Sequence, residues 1–301
     1  ILKYRSLNKL ISTYLDGIIE YIMDDGRVRT SFKQMITATG RLSSVDPNLQ
    51  NIPARDQYGK LIRCAFVAED GCKLLSSDYS QVELRVFASV SNDPNMCDAF
   101  NKDIDIHTNT AAQIYGVRVE DVTKDMRRSA KAVNFGILYG ISSFGLSEDL
   151  GIDLVQAKKF IDNYLDSFPN IKEYMDGVKK DAYLNGYVKT IMNRRRIIKE
   201  LNSSNYMIRQ SGERMALNTP IQGSAADILK KAMVDIYNKF RELNLKSRML
   251  LQIHDEIVFN VYDDELDQVI KIVRDLMENA FPLKVKLKVD ISYGDNLYDA
   301  K

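Results

Sequence analysis

The chain has 301 residues, 45% hydrophobic and 28% charged, an ordinary globular composition, and a formal net charge of +1 gives no overall pull towards nucleic acid or an anionic membrane. Cys64, Cys72 and Cys97 are odd in number and form no CxxC pair, which argues against a disulfide framework or a zinc site and fits a reducing compartment. No apolar run approaches the roughly 18 residues of a membrane span, and no signal peptide is visible.

The chain opens ILKYRSL, without Met and already in helical rhythm, and reads as a fragment of something longer. Leu2, Leu7, Leu10, Ile11, Tyr14, Leu15, Ile18, Ile19 and Ile22 recur at helical spacing, predicting an amphipathic helix over residues 2–23 that Asp24-Asp25-Gly26 stops. Residues 27–33 alternate through Val28 and Phe32 as a strand does. Residues 37–53, TATGRLSSVDPNLQNIP, are polar and turn-rich with few charges, the composition of a loop built for hydrogen bonding. Lys73–Ser77 has the apolar signature of a buried strand, and from Gln81 the pattern turns helical. Ser91-Asn92-Asp93-Pro94 marks a boundary. From Pro94 to about Asn202 the pattern is almost all helical, with breaks near Gly116, Gly140, Gly151, Pro169 and Gly186. A second helical run, 211–243, is interrupted near Pro220. Residues 249–261 form a hairpin candidate, and 285–291 alternate as a strand.

Asp78 falls where a strand ends and a helix begins, held on a rigid element yet open to solvent. That suits a metal ligand, and equally an Asp capping the helix. A second carboxylate, Asp255, lies in the polar centre His254-Asp255-Glu256 of the hairpin candidate, where a solvated turn is the alternative. Two carboxylates about 4 Å apart repel by roughly 4 kcal/mol at an effective dielectric of 20, and a divalent cation between them reverses the sign. Hard oxygen ligands favour Mg²⁺ over zinc. In RRSAKAVNFGILYG, residues 127–140, Arg127, Lys131, Phe135 and Tyr139 recur every four residues and line one slowly turning helical stripe about 18 Å long. Two cations followed by two aromatics match the order of a nucleoside triphosphate, although an Arg/Lys edge beside a buried aromatic face has the same spacing. The two histidines, His107 and His254, both sit beside acidic residues. An HD-type phosphohydrolase would use such pairs, but on a helix rather than on strands.

DYSQVELR at 78–85, RRSAKAVNFGILYG at 127–140 and HDE at 254–256 resemble motifs A, B and C of the family A DNA polymerases. Residues 37–53 and ERMALNTPIQGSAAD at 213–227 are also similar to the family, so the resemblance covers essentially the whole chain in family order. It implies an α+β fold of right-hand architecture: a thumb-base helix at 1–23 with the thumb otherwise absent, an antiparallel palm sheet in 24–91 and 205–301, and helical fingers at 92–204. The implied reaction is template-directed addition of deoxynucleotides to a primer 3′-hydroxyl with release of pyrophosphate. The resemblance implies two Mg²⁺ held by Asp78, Asp255 and the carbonyl of Tyr79, with Glu256 in support. It implies a dNTP site of Gln81, Glu83, His107, Arg127, Lys131, Phe135 and Tyr139, in which Lys131 also serves catalysis and Glu83 is a steric gate against a 2′-hydroxyl. Phe135, lacking a phenolic oxygen, implies discrimination against dideoxynucleotides. Arg41, Gln50, Asn51, Arg214, Asn218, Gln222 and His254 match residues that touch primer and template, reading shape rather than sequence.

The implied partners are primer-template DNA and dNTPs, with no membrane, and the implied state is a monomer in the bacterial cytoplasm at the nucleoid, or in an organelle. The resemblance includes no exonuclease segment within these residues, so proofreading is not expected from them. A single-subunit RNA polymerase is the nearer rival, opposed by Glu83, and a two-metal nuclease the further one, opposed by the 127–139 stripe. Arg194-Arg195-Arg196 is a local basic run with no assigned role.

Overall fold

The structure, a computed structural model, describes residues 1–53 and 57–301. It divides into two compact units: Ile1–Ser80 with Ile228–Ala280 and Lys288–Lys301, and Gln81–Asp227 with Phe281–Leu287.

The first unit is built on a four-stranded antiparallel sheet of β1 (Cys72–Tyr79), β2 (Arg248–Ile253), β3 (Glu256–Tyr262) and β4 (Val289–Gly294), in the order β2-β3-β1-β4. β1 is central and covered on both faces, which is why its sequence is nearly continuously buried rather than alternating. One face carries Leu74 and Val258, which join Tyr14, Ile18, Leu49 and Leu297 in an apolar cluster. On the other, Leu75 and Phe259 pair across the sheet, and the Tyr79 hydroxyl donates to the Met277 carbonyl at 2.7 Å. Met277 belongs to the helix Leu266–Glu278, whose Val269, Val273 and Met277 repeat every four residues and are all buried.

The N-terminal segment is helical over Leu2–Leu10, passes through a π turn at Ile11–Leu15 and ends with Asp16–Ile19, shorter than the 2–23 periodicity predicts. The widened turn brings the Ser12 carbonyl so close that a Cβ on residue 17 would lie 2.5 Å from it, and Gly17 has none. The alternation at 27–33 becomes an isolated antiparallel bridge of Val28 with Ile22 and the short strand Ser31–Lys33, paired with Ser43–Val45. The 37–53 loop is hydrogen-bonded as its composition predicts: Thr37 Oγ1 donates to the Arg41 carbonyl at 2.5 Å, and Ser44 Oγ accepts from the Leu49 amide at 2.9 Å.

The second unit is mainly helical. It contains α1 (Val82–Ser91), α2 (Ile106–Tyr115) and α3 (Lys124–Leu138), besides Pro94–Asn101, Ser143–Leu150, Leu154–Ser167 and Pro169–Asn185. The breaks predicted at Gly116, Gly151 and Gly186 are helix ends, and Pro169 opens a helix. A ribbon of Tyr187–Lys189 with Arg195–Ile197 interrupts the stretch that reads as helical to Asn202.

Two expectations need correction. The helix α4 (Tyr206–Glu242) runs unbroken through Pro220. Proline removes the amide that would meet the Ala216 carbonyl, so one ladder bond is lost, yet the helix continues with Ala216, Leu217 and Ile221 buried around it. Beside it Thr219 Oγ1 donates to Met215 O at 2.6 Å, and Ser224 Oγ donates to Pro220 O. The last strand begins at Val289, not at residue 285. The alternation there is real, since Val285, Leu287 and Val289 are buried. The amide of Lys284, however, donates to Ser89 Oγ at 2.9 Å, and that of Lys286 to Asn101 Oδ1 at 3.4 Å. Side chains take the place of a partner strand.

Candidate active site

In the first unit, Asp78 stands directly opposite Glu256 on β3 and opposite Asp290 on β4. Directly opposed residues of antiparallel strands share a face, so three carboxylates lie in one row across the sheet, an arrangement that repels itself. Asp78 is inside β1, and the helix that follows begins at Val82 with Gln81 at its N-cap. The capping reading of Asp78 is thereby set aside. β2 and β3 join through the tight turn His254-Asp255, with His254 at φ +55°, and the Tyr79 amide donates to the Asp255 carbonyl at 3.2 Å. The two sequence motifs therefore meet at one end of one sheet.

The electrostatics match. Burial, then the Glu256, Asp255 and Asp290 charges, push the Asp78 carboxyl up to about 6, against a smaller opposing pull from Lys301. Burial also raises Asp255, against Arg41 and His254. Arg41 Nη2 lies 3.7 Å from Asp255 Oδ1. Glu256 is buried and takes Ser76 Oγ at 2.6 Å on one oxygen and Lys301 Nζ at 2.9 Å on the other. Among the described residues no three His, Cys, Asp or Glu side chains form a group that could hold a metal ion. Asp78 and Asp255 are nonetheless hard oxygen donors whose negative charge the fold leaves under-compensated, and the donor chemistry fits a divalent cation of the magnesium type.

Gln50 and Asn51 also lie in this unit. Gln50 Nε2 donates to Gln252 Oε1 at 2.9 Å and to its carbonyl at 3.1 Å, while Gln50 Oε1 accepts from the Ser44 amide at 3.1 Å. Buried Gln252 in turn donates to the His254 carbonyl. Gln252 thus ties the 37–53 loop to the turn that presents Asp255. The sequence marks it only as a polar residue among apolar neighbours in β2. Asn51 is exposed, its carbonyl receiving the Tyr14 hydroxyl, and His254 is exposed at the turn.

In the second unit, α3 buries Ala130, Val133, Asn134, Ile137 and Leu138 on one side. Arg127 and Lys131 are exposed, and Phe135 and Tyr139 half-buried, along the other, as the four-residue spacing predicts. The Phe135 and Tyr139 ring centroids are 6.3 Å apart, and His107 lies 5.9 Å from Phe135. The Tyr139 hydroxyl donates to Glu83, a buried residue in the first turn of α1. Gly140, at φ +70°, ends the stripe where a Cβ would meet Leu217 Cδ1 of α4 at 3.0 Å. Burial, then the Arg127 and Lys131 charges, depress His107 to about 4 against the opposing Asp105, so it is neutral at pH 7. Asn134 Oδ1 accepts from the Thr110 hydroxyl at 3.2 Å, and its amide donates to His107 Nδ1 at 3.1 Å. The imidazole proton is then on Nε2, available as a donor.

Two residues of this site are missed by the sequence reading. Asp105 accepts from Arg127 Nε at 2.7 Å with one oxygen and from the His107 and Thr108 amides with the other. It therefore fixes Arg127 and His107 together. Asn134 sets the His107 tautomer. The local signals were an N-cap Asp two residues before a His, and a buried Asn within α3.

Arg214, Asn218 and Gln222 repeat every four residues on α4. Arg214 is exposed, and the buried Asn218 Oδ1 has no hydrogen-bond partner among the described residues. The unassigned run resolves into structural contacts. Arg194 forks onto buried Asp227 through Nε at 2.9 Å and Nη2 at 2.7 Å, Arg196 Nη1 donates to Thr219 at 2.9 Å, and Arg195 stacks over Tyr187 at 5.0 Å. Arg194→Ala should therefore cost about 3 kcal/mol in urea unfolding, because Asp227 keeps its burial but loses its counter-charge. A change below about 0.5 kcal/mol would place Arg194 among solvated surface residues instead.

A family model, DNA polymerase family A, matches residues 1–299. The chain is 52% identical over its whole length to DNA polymerase I of Bacillus subtilis, covering 34% of that protein, and 50% identical to DNA polymerase I of Geobacillus stearothermophilus, covering 35%. It thus spans about a third of the length of these curated relatives. Among solved structures, the POL domain of Pol1 from M. smegmatis, in complex with DNA primer-template and dNTP, superposes with a TM-score of 0.96 at 43% identity, over 99% of this chain and 53% of that one. Sequence and fold agree, and the chain belongs to DNA polymerase family A.

Proposed function

We propose that this chain carries the catalytic portion of a template-directed DNA polymerase, which adds deoxynucleotides to a primer 3′-hydroxyl and releases pyrophosphate. The observation that carries the reading is the register of β1 against β3, which sets Asp78 opposite Glu256 and beside the turn bearing Asp255. Two magnesium ions, held by Asp78, Asp255 and the Tyr79 carbonyl, would acidify the primer hydroxyl and offset charge on the departing pyrophosphate.

The protein's own groups do the rest. Arg127, Lys131 and the Nε2–H of neutral His107 bind the triphosphate, with Gln81 beside them, and Lys131 steadies the charge that develops on the leaving group. Phe135 packs on the sugar and base, and Glu83, fixed by Tyr139, crowds the sugar 2′ position. Arg41, Gln50, Asn51, Arg214, Asn218, Gln222 and His254 contact primer and template. In this reading residues 24–91 and 205–301 form the palm, 92–204 the fingers and 1–23 the base of the thumb. The protein acts as a monomer in the bacterial cytoplasm, at the nucleoid. Among the described residues no helix is long and apolar enough to cross a membrane.

Primer extension on a short primed template tests this. Mg²⁺-dependent, template-matched addition of dNTPs is expected, with ribonucleotides poorly used. Comparable ribonucleotide use would favour the RNA polymerase reading, and shortening of the primer without dNTP use would favour a nuclease. A chain that binds neither primed DNA nor dNTP by fluorescence anisotropy would overturn the proposal.

A further inference from the structure

Glu256 is held in a way that the polymerase reading does not require. Its side chain is 3% exposed, and each oxygen has its own partner: Ser76 Oγ donates to Oε1 at 2.6 Å, and Lys301 Nζ to Oε2 at 2.9 Å. Ser76 lies on β1 two residues before Asp78, on the same face. Lys301 is delivered by a pinned segment. The Ala300 carbonyl accepts from Ser292 Oγ of β4 at 2.9 Å, its amide donates to the Asn296 carbonyl at 3.1 Å, and the Leu297 amide donates to the Phe66 carbonyl at 2.9 Å. The buried Arg63 guanidinium, hydrogen-bonded to the Leu297 carbonyl at 3.3 Å, adds a second, longer-range attraction to Glu256. With both oxygens engaged, Glu256 cannot turn towards a cation between Asp78 and Asp255 without breaking a charge-assisted hydrogen bond.

We propose that Lys301 and Ser76 are positioning residues that clamp Glu256 as a fixed, non-ligating charge beside the Asp78–Asp255 pair, and that Lys301 thereby weakens the affinity of this centre for divalent cations. The inference rests on the reading of Asp78 and Asp255 as cation ligands. A clamp of this kind has a chemical use. Three free carboxylates would bind a cation tightly and rigidly, whereas two leave coordination positions for substrate oxygens. Ser76→Ala frees one oxygen of Glu256 and Lys301→Met the other, the second also removing a positive charge from the row.

The test is Mn²⁺ binding to the whole chain, without nucleotide or DNA, followed by electron paramagnetic resonance. Lys301→Met should tighten Mn²⁺ binding about fivefold and Ser76→Ala by a smaller factor, while Lys301→Arg stays within twofold of the parent protein. The discriminating arm is the Glu256→Gln background. A clamp acts through Glu256, so Lys301→Met should change affinity less than twofold there, whereas a general field effect of Lys301 on Asp78 would persist. Thermal melting of each variant confirms that it is folded, and Ser76→Ala supplies an independent reading if Lys301→Met unfolds. If the parent protein binds Mn²⁺ in an Asp78-dependent manner and neither variant tightens it, the clamp is overturned and the cation centre stands. If no Asp78-dependent Mn²⁺ binding occurs, the cation-centre reading falls and the clamp with it.

Discussion

Asp78→Asn should lower primer extension by at least about 10³-fold while raising the thermal stability of the cation-free protein at pH 8. In the proposed mechanism the loss of activity follows from removing one of the two anionic oxygen donors assigned to the cations where charge develops in the transition state. The gain in stability follows from the same row of carboxylates. Burial and three neighbouring carboxylates lift Asp78 from its ordinary 3.8 to about 6 in the folded protein. The folded state therefore holds this proton more tightly than the unfolded chain does. That contribution is fully present below pH 3.8 and is lost as pH rises through 6. At pH 8 the ionised group accordingly opposes folding by up to about 3 kcal/mol relative to its protonated form.

A neutral, nearly isosteric Asn escapes that repulsion. Melting at pH 8 in the presence of EDTA should show the variant several degrees above the parent protein, at about 2–4 °C per kcal/mol for a domain of this size. The difference should shrink towards zero near pH 4. On the proposed cation site, saturating Mg²⁺ should narrow it as well, because the parent's Asp78 would gain the cation's stabilisation and the variant's Asn would not. An inactive variant that melts below the parent at both pH values would mean that Asp78 is structural.

Glu83→Ala should relax discrimination between deoxy- and ribonucleotides by about 10²-fold, measured as the ratio of kcat/KM for a dNTP to that for the matching rNTP. Glu83 is buried in the first turn of α1 and receives the Tyr139 hydroxyl, so its carboxylate is fixed in place rather than sampling rotamers. A fixed side chain can exclude an extra hydroxyl, and a mobile one yields to it. Alanine removes the bulk and takes away the acceptor from Tyr139, so some loss of dNTP efficiency should accompany the relaxed selectivity. Glu83→Gln keeps the volume and should keep most of the discrimination. A ratio unchanged in Glu83→Ala would sink the gate role and leave Glu83 as an anchor for Tyr139.

Much of the candidate site's framework was legible in the sequence because it depends on local periodicity. The strand before Asp78, the helix after Gln81, the hairpin around His254-Asp255-Glu256 and the Arg127–Tyr139 stripe each follow from spacing within about fifteen residues. The structure has them where the pattern put them. Local pattern failed where a backbone group found a partner outside its own element. Side chains of Ser89 and Asn101 accept the amides of Lys284 and Lys286 before the strand begins, α4 continues through Pro220 with Leu217 and Ile221 buried on either side, and Asp227 turns Arg194 from a surface cation into a structural one.

The sequence by itself determined which residue types and element ends could do the chemistry, since helix and strand periods are properties of a few consecutive residues. Only the tertiary structure decided that Asp78 faces Glu256 across two strands far apart in sequence, and that Asp105 and Asn134 set the posture of Arg127 and His107. Register between distant strands and the orientation of a buried imidazole are fixed by long-range packing and hydrogen bonding, which no local period encodes.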